Sequence, residues 1–417
     1  MMFLGKRKKQ VAALETQVAE LTAKVASISN STPMPEIVRG TDVFSAFSGA
    51  PSSAGPVVNE QTAMCVSAVY ACVRIIAGAI AGLPVHVFEK KSGHRERVED
   101  HDIAWLLNNQ ASDGWTAAAL WEFVISSVLL PGDGFAEIKR SYRGDALALE
   151  PHHPHQVQPL RHEGRVVYII YPDEGEAYAL DQDDMLHVPG LGFNGLYSMS
   201  PIKYAAKQAV GIALAADQYS AEFFSNGAKP DFAITTPNTP DDKQKNLLRE
   251  TWYEKHQGAG KHHLPAILAG GMDIKQLTMS AEDAQLIATR QFQVVDIGRV
   301  YGVPPDMLSA TEKTTAWGTG IEQMTIGFMR FTLRSYLTRA EQEVNRKLFG
   351  RGKSFAEFNV DGLLRGDSKA QAEYYKAALG GPGAQGWMAL NEVRRRQNLP
   401  PVKNGDEVII SGGANEK

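Results

Sequence analysis

The sequence predicts an α+β fold, and three observations carry that prediction. Stretches with apolar residues three and four apart alternate with short runs of period two, which are the signatures of amphipathic helix and half-buried strand. Clusters of Gly, Pro, Ser and Asn punctuate them, so most connections are local. The 417 residues are 43% hydrophobic and 22% charged, with 38 Gly and 21 Pro, which excludes wholesale disorder, a collagen-like chain and a disulfide scaffold. At roughly 150 residues per domain the length suggests about two to three units. The 43 basic and 47 acidic residues give a net charge of −4. A chain that grips nucleic acid by neutralising many phosphates is usually basic. If DNA is involved, it should pass or be guided here rather than be held tightly.

The start, MMFLGKRKKQ, has basic residues but no apolar core long enough for a signal peptide. Val11, Leu14, Val18, Leu21, Val25 and Ile28 then form an a/d seam of about two and a half heptads, short of the three to four of an established coiled coil, so self-association or a partner helix is expected with a lone amphipathic helix as the alternative. Residues 30–56, rich in Ser, Pro and Gly, read as a linker. One helix is expected from Val57 to Leu83, with Cys65 and Cys72 on one face as buried thiols in a reducing compartment. The apolar run Ile75–Pro84 is well short of the ~20 residues that span a bilayer, so a soluble protein is expected.

Pro84 starts a strand, VHVFEK. A helix over Ala117–Leu130 carries Leu120, Phe123, Val124, Ser127 and Val128 at helical spacing, and GDGFAEIKR turns into an alternating strand. Short strands follow in VVYIIY and MLHVPG. Ser200-Pro201 is a helix start, Ser as N-cap and Pro at the first turn, and Asn226-Gly227 is the stop. Its alanines 205, 206, 209, 213, 215, 216 and 221 leave little bulk, so the helix can pack closely against copies of itself. A mixed module follows: strand DFAITTP, helix DDKQKNLLRETWYEKHQ, strand HLPAILAG, then IKQLT. Ser280 opens a helix stopped by Gly302 and Pro304-Pro305. LSATEKTTAWGTG is a polar loop before a long helix, Ile321–Phe349, whose Arg339–Glu343 and Glu343–Lys347 spacings suggest a solvated charged face. Ser368–Leu379 and Met388–Asn398 read as helices.

Enzymatic templates fail in turn. QGAGKHH approaches a phosphate-binding loop, but Lys255 stands where the first Gly belongs and His262 replaces the hydroxyl that would hold Mg²⁺. His152, His153, His155 and His162 are dense enough for a metal, yet three sit among prolines and the thiols are far upstream, so a polar surface loop is expected. The sequence has no nucleophile elbow, His-Glu-x-x-His helix or dinucleotide fingerprint, and no carboxylate pair has a spacing suited to acid/base work.

The order of the segments is more informative. SAVYACVRIIAGAIAGLPVHVFE (67–89), HDIAWLLNNQ (101–110), GDGFAEIKRSYRG (132–144), DMLHVPG (184–190), SPIKYA (200–205) and FFSNGAKPDFAI (223–234) appear in sequence. They are followed by SAEDAQLIATRQFQVVDIGRVYGVPPDMLS (280–309) and NEVRRRQNLPP (391–401). In this order they resemble the portal proteins of tailed bacteriophages, over roughly residues 57–405. The family usually has Gly-Asn where this chain has Gly132-Asp133, and the N-terminal heptads are not a family hallmark.

The resemblance implies a portal-type subunit with an N-terminal segment 1–34, an α+β wing at 35–199 and a helical stem of residues 200–226 and 281–302. A small mixed clip would span 227–280, a tunnel loop region 303–320, a tunnel helix 321–350, and a crown with the C-terminal tail 351–417. It implies a ring of twelve subunits at one capsid vertex, assembled in the host cytoplasm, through which double-stranded DNA is packaged and ejected. The implied partners are terminase, a head–tail connector, the major capsid protein and a scaffold, with no membrane, cofactor, metal or catalysis. Glu312, Lys313, Thr314, Thr315 and Trp317 would face the DNA; Ala205, Ala209, Ala213 and Ala216 would pack subunits together in the stem. Residues 228–280 hold seven basic and six acidic residues, a near-neutral lining past which a duplex can slide. Two other classes are weighed against the portal. A head–tail adaptor is usually much shorter and lacks the stem–clip–stem order. A packaging or maturation enzyme would need an intact phosphate loop or a recognisable nucleophile motif.

Overall fold

The computed structural model describes residues 52–91, 94–98, 100–225, 232–235, 241, 243, 273–276, 281–309, 319–360, 368–380, 385–397 and 399–408. It divides into two compact units, one of residues 1–211 with 294–417, the other of residues 212–293.

The larger unit opens with α1 (Glu60–Met64), where Asn59 Oδ1 accepts from Thr62 N at 2.8 Å and Thr62 Oγ1 accepts from Asn59 N at 2.9 Å. The expected single helix is two. Val66 adopts an extended backbone and buries its side chain, and α2 (Ser67–Ala81) begins after it. The break also separates the thiols: Cys72 is buried, its pKa pushed up to about 12 by burial, while Cys65 faces solvent.

β1 (Val85–Lys91) and β2 (His94–Val98) pair antiparallel. Then come α3 (Asp102–Asn108), β3 (Gln110–Ser112), β4 (Trp115–Thr116) and α4 (Ala117–Leu129). Thr116 Oγ1 caps α4 by accepting from Ala119 N at 3.2 Å. The core sits where α2 packs on α4. Val69, Val73, Ile76 and Ile80 of α2 and Leu120, Trp121, Val124, Ile125 and Val128 of α4 are buried. Each fully buried large side chain contributes about 1.5–3 kcal/mol. Trp121 keeps its polar atom satisfied, donating Nε1–H to the Leu107 carbonyl at 3.1 Å.

Under α4 lies an antiparallel sheet of order β10-β5-β6, with β5 (Asp133–Arg140), β6 (Ala146–His152) and β10 (Met185–Pro189). A second sheet holds β7 (Val157–His162), β8 (Arg165–Ile170) and β9 (Tyr178–Asp181). Phe135 of the first sheet packs with Val157, Tyr168 and Ile170 of the second, joining the two. The histidines expected in a polar loop are distributed differently. His152 ends β6, while His153 and His155 stack at 4.9 Å around a single 3₁₀ turn. Among the described residues no group of three or more His, Cys, Asp or Glu could hold a metal.

A wide π-turn (Ile202–Ala206) leads into α5 (Lys207–Ser225). In the smaller unit β11 (Phe232–Thr235) pairs antiparallel with β12 (Asp273–Gln276). Arg290 of α6 (Ala281–Tyr301) reaches Asp217 of α5 at 2.6 Å. Both partners are about half exposed, so the pair contributes about 0.2–1 kcal/mol.

The expected long helix is continuous but not uniform. α7 (Thr319–Phe328) and α8 (Arg334–Val344) are joined by a π-turn at Met329–Leu333, and a second π-turn, Asn345–Phe349, ends the run. The expected Arg339–Glu343–Lys347 ladder is replaced by other partners, although Arg339 and Glu343 stay in regular α-helix and only Lys347 falls in the second π-turn. Glu343 pairs with Arg346 at 2.6 Å, Arg339 lies over the Tyr336 ring, and Lys347 donates to the Gln182 carbonyl. Nor is that face fully solvated, since Arg339, Glu343 and Lys347 are each half-buried. On the opposite face Glu341 is buried and accepts from Phe358 N at 3.0 Å. Asn345 brackets Ala356, accepting from its N–H at 2.6 Å and donating to its carbonyl at 2.9 Å. Helix side chains thereby cover the free edge of β13 (Ser354–Phe358), whose other edge pairs with β1. α9 (Ser368–Leu379) and α10 (Leu390–Arg396) close the chain, with Ala378, Met388 and Val393 as a small core. Among the described residues no helix is long and apolar enough to cross a membrane.

Glu137 supplies a pH test. Burial opposes its charge, but hydrogen bonds from His152 (3.1 Å), Lys139 (2.7 Å) and Tyr178 (2.9 Å) together outweigh it and hold the pKa at about 2, below the ordinary 4.5. A depressed carboxylate contributes stability that is complete above pH ~4.5 and lost as pH falls toward 2, here on the order of 2–3 kcal/mol. Glu137→Gln should flatten that part of the stability–pH curve measured by urea unfolding; an unchanged slope would refute the assignment.

Candidate functional site

The residues that organise the molecule converge on one corner, where α4 ends and β5 begins. A helix C-terminus leaves its last carbonyls without intrahelical partners. Here they are taken by side chains from the two long helices. Tyr301 at the end of α6 donates its hydroxyl to Leu129 O at 3.2 Å, and Ser200 ahead of α5 donates Oγ–H to Leu130 O at 2.7 Å. Ser200 Oγ also accepts from Lys203 N at 3.2 Å, so the serine serves as the expected N-cap while anchoring the helix to α4. Its helix opens with a π-turn instead of an α-turn.

The next residues carry the anchor further. Gly132 has φ +116°, a conformation that favours glycine, and a Cβ there would stand 3.0 Å from the Met199 carbonyl oxygen. Asp133 is buried and fully used. Ser198 donates its N–H to Oδ2 at 2.8 Å and its Oγ–H to Oδ1 at 2.6 Å, while His187 Nε2 lies 3.0 Å from Oδ1. His187 Nδ1 faces the Tyr168 hydroxyl at 3.1 Å, and Gly190 N donates to Ser198 Oγ at 2.9 Å. The network thus ties β5, β8 and β10 to the segment that leads into α5.

Ser, His and Asp together invite comparison with a nucleophile triad, and the geometry rejects it. Ser198 Oγ–H donates its hydrogen bond to the carboxylate, and both imidazole nitrogens are occupied by Asp133 and Tyr168. No ring nitrogen remains to activate the hydroxyl. The network positions a helix.

The stem alanines do not share one environment. Ala209 and Ala216 are buried within the chain, Ala205 is exposed and Ala213 half-buried, with Tyr204 and Tyr219 exposed on the same helical run. Glu312, Lys313, Thr314, Thr315 and Trp317, the near-phosphate loop with Lys255, Lys261 and His262, and the N-terminal heptads lie outside the described residues. Sequence reasoning missed the Asp133–His187 pair. The available signal was His187, an ionisable residue between Leu186 and Val188 in an otherwise apolar strand; Asp133, between two glycines, gave none.

A family model described as phage portal protein matches residues 67–398. The chain is 34% identical over 355 residues to the portal protein of Enterobacteria phage HK97, covering 84% of this chain and 82% of that one. It is 32% identical over 372 residues to the probable portal protein of Streptomyces phage phiC31, covering 86% and 79%. Among solved structures, the neck of an empty gene transfer agent particle computed with C6 symmetry contains a chain of similar fold. The TM-score is 0.64 at 22% identity, over 92% of this chain and 100% of that one. A chain in the native particle's neck, computed with C12 symmetry, has a TM-score of 0.59 at 21% identity, over 92% and 100%.

Asp133→Ala strands Ser198 N–H and His187 in the interior and should cost about 3–5 kcal/mol in urea unfolding. Asp133→Asn should cost less than about 1.5 kcal/mol. Its oxygen can accept from Ser198 N while its amide donates to His187 Nε2 and Ser198 Oγ, moving the imidazole proton to Nδ1. Equal losses would show that only a carboxylate fits.

Proposed function

The chain belongs to the phage portal protein family, and we propose that its subunits close into a ring at a capsid vertex around a channel for double-stranded DNA. The observation that carries this reading is the span of the family match, residues 67–398, which takes in wing, both long helices and the segment between them. The C12 symmetry of one similar neck favours twelve subunits.

The proposed subunit runs as wing (35–199), stem (200–226 and 281–302), clip (227–280), tunnel loop region (303–320), tunnel helix (321–350) and crown. The separate compactness of residues 212–293 supports a clip carried between two stem helices. At 1.5 Å per residue the 19-residue α5 is about 28 Å long and the 21-residue α6 about 32 Å, suitable for the wall of a pore. Residues 354–358 hydrogen-bond to β1, so we assign them to the wing and begin the crown after them. In the stem, the exposed Ala205 and half-buried Ala213 are the better candidates for close subunit packing, because Ala209 and Ala216 are already buried.

The portal contributes structure rather than catalysis, so a terminase docking on the clip supplies ATP hydrolysis and a connector takes its place after packaging. Tunnel-loop residues Glu312, Lys313, Thr314, Thr315 and Trp317 line the narrowest passage, where twelve copies of Lys313 touch phosphates singly and weakly. Replacing residues 311–317 with Gly and Ser should leave ring formation intact, since a loop adds little buried area, yet lower packaging or genome retention. Electron microscopy of the rings and DNA content of the particles read the two effects. Full-length packaging and retention by the loop-replaced rings would remove the proposed role.

A further inference from the structure

The segment between β10 and the π-turn before α5 is a stiff apolar knob. Leu191, Phe193, Tyr197 and Met199 are all exposed within nine residues, Leu191 at 72%. Such a group on a connecting loop would ordinarily collapse inward or move, but this one is held. Asn194 Oδ1 accepts from Leu196 N and Tyr197 N, both at 2.9 Å, and Asn194 N donates back to Tyr197 O at 3.0 Å. Met199 N donates to Leu191 O at 2.9 Å, Ser198 is clamped by Asp133, and Phe193 stands edge-on to His187 at 5.3 Å. The ordering entropy is already spent in the single chain, a preorganisation that favours binding.

The same wing carries a matching depression. Trp105, Ala111, Asp113, Leu147 and Glu150 line an open cleft of about 490 Å³, with Trp105 58% and Leu147 62% exposed. Sheet register locates the two features. The knob follows β10, whose Pro189 pairs with Asp133 at the start of β5; the cleft borders the first residues of β6, whose Ala148 pairs with Lys139 near the end of β5. In the order β10-β5-β6 they therefore lie at opposite edges of one sheet and about 20 Å apart along its strands. A chain cannot fill its own cleft with its own knob in this arrangement, but a neighbour can. Head-to-tail contact between two different patches is what closes a cyclic ring. Charge is compatible: Arg161 lies against Gly195 on the knob, and the charged residues lining the cleft are Asp113, Glu150 and Lys139, acidic on balance. The knob also runs directly into exposed Tyr204 and Ala205 of the proposed stem contact.

We propose that the Leu191–Met199 knob of one subunit seats in the Trp105–Leu147 cleft of the next copy of this chain. This rests on the ring reading above and names the wing contact within it. The test uses the full chain with Cys65→Ser, which removes the exposed native thiol, and adds Leu191→Cys and Leu147→Cys together. A short bis-maleimide should link neighbouring copies into a ladder of covalent oligomers on a denaturing gel, and neither single variant should ladder. Rings visible by negative stain without a ladder would overturn the knob-and-cleft contact while leaving the ring reading standing. Absence of rings in the parent chain would overturn the ring reading itself. As a second measurement, Arg161→Glu should lower the fraction of chain in rings and Asp113→Arg should restore it; no restoration would reject the charge pairing.

Discussion

The C-terminal end of α4 is the constraint on which the larger unit depends. Its last carbonyls must find donors, and the donors supplied are Tyr301 from α6 and Ser200 from the entry to α5. One unsatisfied buried polar group costs about 1–3 kcal/mol, so this pairing is strongly selected over alternatives that leave the carbonyls bare. Asp133, three residues beyond Leu130, extends the same logic by fixing Ser198 and His187. Within the larger unit, Ser200 and Tyr301 thus tie the entry to α5 and the last residues of α6 to the C-terminus of α4.

Much of the fold was legible in the sequence. Caps and periodicity placed α4, β5, β10, the Ser200 start, the Gly302 stop and α9 within a residue or two, because each rests on local pattern: the helical spacing of Leu120, Val124 and Val128, Ser200 as a cap, Gly302 at φ +70° as a stop. What was not legible depended on partners distant in sequence. The break at Val66 accompanies burial of that side chain, and of the long helix's charged residues Lys347 is drawn to the distant Gln182 carbonyl, which no spacing rule anticipates. Asp133 reads as an ordinary polar residue after a glycine until β8, β10 and the 190–200 segment close around it. The stem alanines were visible as a class, but which of them the chain itself buries was not.

The chemistry of the chain also explains why its family membership was carried by order instead of a motif. Among the described residues, the constellation that resembles a triad has its imidazole fully engaged. The proposed ring would ask instead for the Ser200 and Tyr301 ties to α4 and for unlike patches at opposite edges of the β10-β5-β6 sheet. Each is met by many residue choices, so every segment is individually soft and only their succession is specific.

The central claim is that this chain closes into a ring. Native mass spectrometry of the purified full-length protein tests it most directly. The account predicts a dominant species near twelve times the 45.5 kDa subunit mass, sharply defined as closed symmetry requires. A persistent 45.5 kDa species at micromolar concentration, or an open ladder of oligomers with no preferred size, would contradict it.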